Sequence, residues 1–394
     1  MFGIEYFFLL PILVALFWFL KISLSIFKGD RRKMAISFFM LSVLFSIVPE
    51  LMFYIGEYNF IKISYVITVF FVLSQFPAFY NYIVSLTSER SNSKKFYIKH
   101  WIFPVLGAYL AYYIQYKILN TAERTYFIEQ VLTGIVVPSG KFELAFLADK
   151  AFKLMFIFSA FFYFHFINKR VNDHEEQILD YFSNTDEINF HWFKVFRVTF
   201  FFAFVSGIIY GIFDRSFHLH NPIVLIILLP CSTFFYWVVG FFGDKQINIY
   251  EASYDEKSKI YNELLKVSKE EIKIDEEKAK ELANSIDKIV EKNKLFLNKD
   301  LNLVDLVLAT RVDRNTLLYV IKNQFDLNFS KYINKKRIEY AKDILSSNEI
   351  ISIDKLSKEC GFNSRIKFNY NFEEFTNETP TAYRNRILLS EMAY

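Results

Sequence analysis

The chain has 394 residues, 53% of them hydrophobic and 20% aromatic, with 48 Phe and 25 Tyr. That apolar load excludes an ordinary soluble protein, yet 22% of residues are charged, so two unlike parts must be joined. A net charge of +4 argues for no partner, and two cysteines, Cys231 and Cys360, exclude a disulfide framework or a cysteine metal site.

The apolar part comes first. Segment 5–27 is too long for a signal-peptide core and lacks a small-residue cleavage site, so it is expected to stay as a spanning helix. Further spans are expected at 34–56, 63–86, 99–119, 146–168, 192–213 and 222–243, about seven in all, the third and fifth with polar interruptions. Loops carrying Arg31, Arg32, Arg90, Lys94, Lys95, Lys169 and Arg170 are richer in cations than those carrying Lys62, Lys117, Arg124, Lys141 and Arg215. The bias predicts a cytoplasmic location for the first set, with the N-terminus outside and the C-terminus inside.

Polar residues inside these spans are costly in lipid and should face a protein interior. Glu50, which follows Pro49, and Gln75 and Asn81 are expected to line a signal pocket, with interhelical hydrogen bonding as the alternative. His218 and His220 in an outer loop read as plain loop residues, with a pH or metal role as the alternative. No catalytic residue, cofactor or metal site is expected. In loop 169–194 a short surface helix could contact the C-terminal tail, and nothing there resembles an ATP-binding or kinase motif.

The character changes after Gly243. Residues 1–243 are read as a membrane sensor domain, 244–280 as a helical cytoplasmic connector and 281–390 as a DNA-binding domain. Within 276–293, Leu282, Ile286, Ile289 and Val290 share one face of an amphipathic helix expected to pack within its own domain. Asn302 caps a helix across Leu303, Leu306, Val307 and Ala309, and Asp313 caps a second one carrying Leu317, Leu318, Val320 and Ile321. A longer helix, 328–345, follows. Near the end, Ile353, Leu356 and Cys360 share a helical face, and Gly361 stops that helix. Asn363 or Ser364 then caps a last helix with the apolar stripe Ile366, Phe368, Phe372 and Phe375. A helix, a glycine turn and a helix form the unit that can lay its second helix in a DNA major groove.

Gly361-Phe362-Asn363-Ser364, Phe368, Phe372, Phe375, Thr379-Pro380 and Tyr383-Arg384 resemble the signature of AraC-type transcription regulators, over roughly the last quarter of the chain. The resemblance implies an all-α protein: a polytopic membrane bundle, a connector helix and two helix-turn-helix units on one linking helix. It implies DNA contacts by Arg314, Asn315, Thr316, Tyr319 and Lys322 on the first recognition helix, and by Ser364, Arg365, Lys367 and Asn369 on the second. Arg and Asn can read guanine and adenine edges, whereas Lys and hydroxyls more often hold phosphates. Lys331, Lys335, Lys336 and Arg337 on the linking helix are expected to support backbone contacts.

The sequence departs from the family pattern in two places. Glu373-Glu374 stands where a basic pair is usual, and Asn377 where a glycine is usual. Residues 281–394 hold 18 Lys and Arg against 16 Asp and Glu, so one domain should bind DNA weakly and a homodimer is expected. The partners expected are double-stranded DNA, the lipid bilayer, a second copy and an unknown small-molecule or membrane-derived signal. The family implies a bacterial source and the inner membrane. The alternative from another class is a transporter or enzyme whose degenerate helix-turn-helix tail is a protein-interaction module.

Overall fold

The computed structural model describes residues 5–30, 33–87, 98–184, 192–212, 223–245, 274–347 and 351–392. Arg31, Arg32, Arg90, Lys94, Lys95, Arg215, His218, His220 and connector residues 246–273 lie outside that set. The described residues are helical, and no strand occurs among them. The chain divides into two units: Met1–Asn172 with Phe190–Tyr250, and Asp173–Asn189 with Glu251–Tyr394.

The first unit contains α1 (Glu5–Phe27), α2 (Met34–Tyr54), α3 (Tyr58–Thr87), α4 (Ile102–Tyr113), α5 (Thr121–Tyr126), the start of α6 (Lys141–Tyr181), α7 (Trp192–Ile212) and α8 (Ile223–Lys245). Its core is aromatic and apolar, with Trp18, Phe39, Met40, Phe79, Tyr82, Phe193, Phe196 and Val239 all buried. The outside is apolar too. On α1, Leu10, Leu13, Leu20 and Leu24 are exposed, and on α7 Val198, Phe201 and Phe202. In water such a surface would drive aggregation; it suits a lipid surround.

Five described helices are long and apolar enough to cross a membrane: Tyr6–Phe27, Met34–Tyr54, Tyr58–Thr87, Trp192–Tyr210 and Val224–Lys245. The other two expected spans take different forms. Segment 99–119 folds as the 12-residue α4 followed by a π-helical turn, Ile114–Ile118. Segment 146–168 is part of the 41-residue α6, where Asp149, Lys150 and Lys153 interrupt the apolar run.

Close packing fixes α8 against α1. A Cβ on Gly240 would stand 2.3 Å from the Trp18 ring, so only glycine admits the indole there. The Tyr82 hydroxyl donates to the Gly243 carbonyl at 2.7 Å. Near that end of α8, Asp244 pairs with Lys33 at 2.9 Å and Lys21 at 3.0 Å, tying α1, α2 and α8 together.

The second unit contains the last turns of α6 from Asp173, then α9 (Glu276–Lys292), α10 (Leu303–Thr310), α11 (Arg314–Phe325), α12 (Phe329–Ser346), α13 (Ile353–Glu359), α14 (Arg365–Thr376) and α15 (Pro380–Met392). It has two cores, and α12 serves both. Phe329, Tyr332 and Ile333, in its first half, pack with Ile286, Val290, Leu306, Leu317 and Ile321. Ile338, Ala341 and Leu345, in its second half, pack with Leu356, Cys360, Phe362, Phe368 and Phe372. At 1.5 Å per residue, the 18 residues of α12 make a rod of about 27 Å that carries one helix pair near each end.

Local signals explain most helix starts. Asn302, Asp313, Asn328, Ser352 and Ser364 each accept a backbone N–H three residues on, from Asp305, Thr316, Lys331, Lys355 and Lys367. Asp305 also returns a bond to the Asn302 N–H, completing a capping box. Gly361 takes φ +81°, and an added Cβ would stand 2.7 Å from the Leu297 carbonyl oxygen. Asn377 takes φ 58° and its N–H caps the Glu373 carbonyl, so the asparagine performs the left-handed stop at which glycine is usual. The amphipathic helix α9 packs within its own unit, burying Ala279, Ala283, Ile286 and Val290, while Leu282 is only partly buried.

Candidate functional site

Two helix pairs stand on α12: α10 with α11, and α13 with α14. In each, the second helix begins with a side-chain cap, Asp313 for α11 and Ser364 for α14. Ser364 is the cap of α14, accepting from Lys367 N at 3.3 Å, so Asn363 is left exposed before it. On α14, Phe368, Asn371 and Phe372 face the core, Lys367 and Asn369 are half-buried, and Arg365 is exposed.

Ile366 corrects the sequence reading. It is 82% exposed, because two residues along a helix is about 200°, which sets it opposite Phe368. Tyr370 is 65% exposed on the same helix. Arg365, Ile366 and Tyr370 thus lie on the outward face of α14 with Glu373 and Glu374, and Ile366 and Tyr370 were missing from the expected DNA contacts. Exposed apolar groups on a recognition helix can pack on thymine methyls. Their signal was available in the helical period itself.

On α11, Leu317, Val320 and Ile321 are buried, Tyr319 and Lys322 are exposed, and Arg314, Asn315 and Thr316 in the first turn are half-buried. Part of that cover comes from the last turn of α6: the Arg314 guanidinium lies 5.7 Å from the centre of the Tyr181 ring. Asp180 is near enough to interact with both Lys322 and Arg314; burial nevertheless raises its pKa against their pull.

The cations of α12 do other work than the sequence suggests. Arg337 is fully buried, so it is no phosphate ligand. Its five N–H groups all find acceptors: Phe296 O at 2.7 Å, Asn298 O at 2.9 Å, Asn334 Oδ1 at 3.0 Å, Ser183 Oγ at 3.0 Å and Asn184 Oδ1 at 3.2 Å. Burial pushes its pKa down to about 9, still charged at neutral pH. Lys336 donates to Asp287 at 2.8 Å and Glu291 at 2.6 Å, locking α9 to α12. Burial works against that ammonium, but the two carboxylates outweigh it and raise its pKa. Lys331 bonds Glu374, raising the lysine pKa, so one of the two unusual glutamates ties α14 to α12. Lys335 remains exposed.

In the first unit, Glu50 and Gln75 line one cavity of about 280 Å3 together with Phe8, Tyr65, Asp149, Phe156, Tyr210 and Ser232. All five candidate spans and α6 contribute to its wall. Tyr210 donates to Glu50, Gln75 Nε2 to Ser46 at 2.9 Å, and Tyr65 to Asp149 at 3.1 Å. Asn81 is buried lower on α3, outside the lining.

Residues 306–386 match a family model described as a helix-turn-helix domain. A stretch of 99 residues is 32% identical to Histidine kinase P4 of Formosa agariphila, covering 25% of this chain and only 7% of that protein. No solved structure matches the chain. Residues 306–386 are an AraC-type helix-turn-helix domain, carried on a chain whose N-terminal helices are apolar enough to span a membrane.

Proposed function

We propose that this chain is a membrane-integral transcription regulator in which one polypeptide receives a signal and binds promoter DNA. The observation that carries the reading is the joining of two capped helix pairs on one α12 rod to lipid-type helices in the same chain. Arg314 and Lys322 on α11, and Arg365, Ile366 and Tyr370 on α14, supply its contacts, with Ser364 capping α14 and Lys367 and Asn369 flanking. The cavity around Glu50 and Gln75 receives the signal, since an occupant there would touch every candidate span at once. Helix α6 gives residues to both units and is the route by which a change in the bundle reaches the DNA-binding unit. The near-balanced charge of the tail favours two copies on one membrane, where effective concentration offsets weak single-domain binding. The DNA-binding unit lies on the cytoplasmic face of the inner membrane.

Crosslinking in the source cell, followed by membrane fractionation, tests the reading. Recurrent DNA sequences recovered with the protein in the membrane fraction are expected. Recovery of random DNA alone would favour the tail as a protein-interaction module, a role that the exposed Glu373 and the low net charge would suit.

A further inference from the structure

The last turn of α6 and the residues after it lie on the DNA-binding unit, and the two ends of that contact differ in strength. At Ser183 and Asn184 the contact is an anchor. Ser183 N and Oγ both donate to Leu301 O, at 3.1 and 2.7 Å, and Ser330 Oγ donates to Ser183 O at 3.2 Å. Asn184 Nδ2 donates to Lys299 O beside the first helix pair and, at 3.0 Å, to Gly361 O in the second. Two of the five acceptors of buried Arg337 are Ser183 and Asn184. Withdrawing them would leave a buried cation short of partners, so this end should stay in place.

One turn earlier the contact is of another kind. Asp180 and Tyr181 meet α11 through a carboxylate near Arg314 and Lys322 and a ring 5.7 Å from the Arg314 guanidinium. Cation–π and charge attractions at a half-buried position are weak beside the anchor. They fall on a cation at the N-terminus of a recognition helix, where a DNA phosphate would be held.

We propose that Asp180 and Tyr181 are a built-in occupant of the first recognition helix, standing where a DNA phosphate would stand and hinged at the Ser183–Asn184 anchor. The inference rests on the DNA-binding reading. The Asp180 carboxylate competes with a phosphate for the charge of Arg314 and Lys322, and the Tyr181 ring covers one side of the guanidinium, so the first helix pair engages DNA more strongly when the end of α6 swings aside. On the second pair, Arg365, Ile366 and Tyr370 of α14 are exposed. The chain therefore approaches DNA through α14, and the state of α6 decides how strongly α11 joins. By linkage, DNA that engages α11 must loosen the cover to the same degree that the cover weakens DNA.

The test uses the full chain in lipid nanodiscs and DNA fragments that it selects from genomic DNA. Asp180→Asn combined with Tyr181→Ala is expected to tighten binding about fivefold, the scale of one lost cation–π contact. The salt dependence should steepen by about one phosphate contact. Arg314→Ala added to this variant should remove the gain. A DNA-independent readout accompanies it: amide exchange at Phe182, which donates to Ile178 O, should speed up in Arg314→Ala, while exchange at Ser183 stays slow. Equal affinity of wild type and the double variant, both selective, would overturn the cover alone. An exchange pattern untouched by Arg314→Ala would overturn it without DNA. No selective binding by either form would instead sink the DNA-binding reading, and this use of the cover with it.

Discussion

The two helix pairs are built alike and exposed differently. Each recognition helix starts at a side-chain cap, Asp313 or Ser364, and buries one apolar face against α12. Yet α14 presents Ile366 and Tyr370 at 82% and 65% exposure, whereas Arg314, Asn315 and Thr316 at the start of α11 are half-buried. At Arg314 part of the difference comes from residues more than a hundred positions earlier, where the Tyr181 ring at the end of α6 lies 5.7 Å from the guanidinium. Capping and periodicity make a helix pair; a distant segment can change how much of it is available.

The sharpest way to break this comparison is to loosen the Ser183–Asn184 anchor. Arg337→Ala leaves the carbonyls of Phe296 and Asn298 and the side chains of Ser183 and Asn184 without their donor, and should destabilise the second unit by about 3 kcal/mol or more. Protease resistance of this unit in the full chain reads the loss. Arg337→Lys should recover little, because three rotatable donors cannot replace a rigid five-donor fork. Next in size is Gly361→Ala. A left-handed φ of +81° and a carbonyl oxygen 2.7 Å from the new Cβ should cost about 1–3 kcal/mol, measured by thermal melting. A melting temperature unchanged by this substitution would show that the junction is looser than described.

On the open face, Arg365→Ala should weaken binding to selected DNA by about 1–3 kcal/mol with melting unchanged. Ile366→Ala should likewise leave stability within about 0.5 kcal/mol, since the side chain is exposed, while lowering affinity. A large stability loss at Ile366 would put it back in the core. A last effect concerns pH. Burial pushes the Cys360 thiol up to about 12, against an ordinary value of 9.0. The folded unit therefore holds this proton more tightly than the unfolded chain does. Its contribution is whole below pH 9, is lost as pH rises toward 12, and should appear as a decline in melting temperature above pH 9. A thiol reagent at pH 8 should leave Cys360 unmodified until the unit unfolds.

Much of the second unit was legible because its signals are local. Asn302, Asp313 and Ser364 each cap a helix within three residues of themselves, and Gly361 announces a turn. Ile366 was misplaced because a stripe of bulky residues was read without following the 100° step per residue. Arg337 was read as a surface cation because four of its five acceptors are not local: they lie 39 to 154 residues away in sequence and are all neutral groups, which leave no charge pattern to find. The same holds for Tyr210, which reaches Glu50 across 160 residues. Glu50 and Gln75 were visible as polar groups in apolar runs, but which polar residues share a cavity depends on helix packing, and Asn81 lies outside it. Span count was the least legible feature, since α6 runs on through charged residues that a hydropathy boundary would have cut.

The most direct measurement is DNA binding by the full-length chain in lipid nanodiscs, with Arg365→Ala beside the wild type. Membrane-anchored regulation predicts that wild type selects particular fragments over random DNA, that affinity falls steeply with salt, and that Arg365→Ala loses the selection while keeping its fold. Equal binding of selected and random DNA, unchanged by Arg365→Ala, would contradict it.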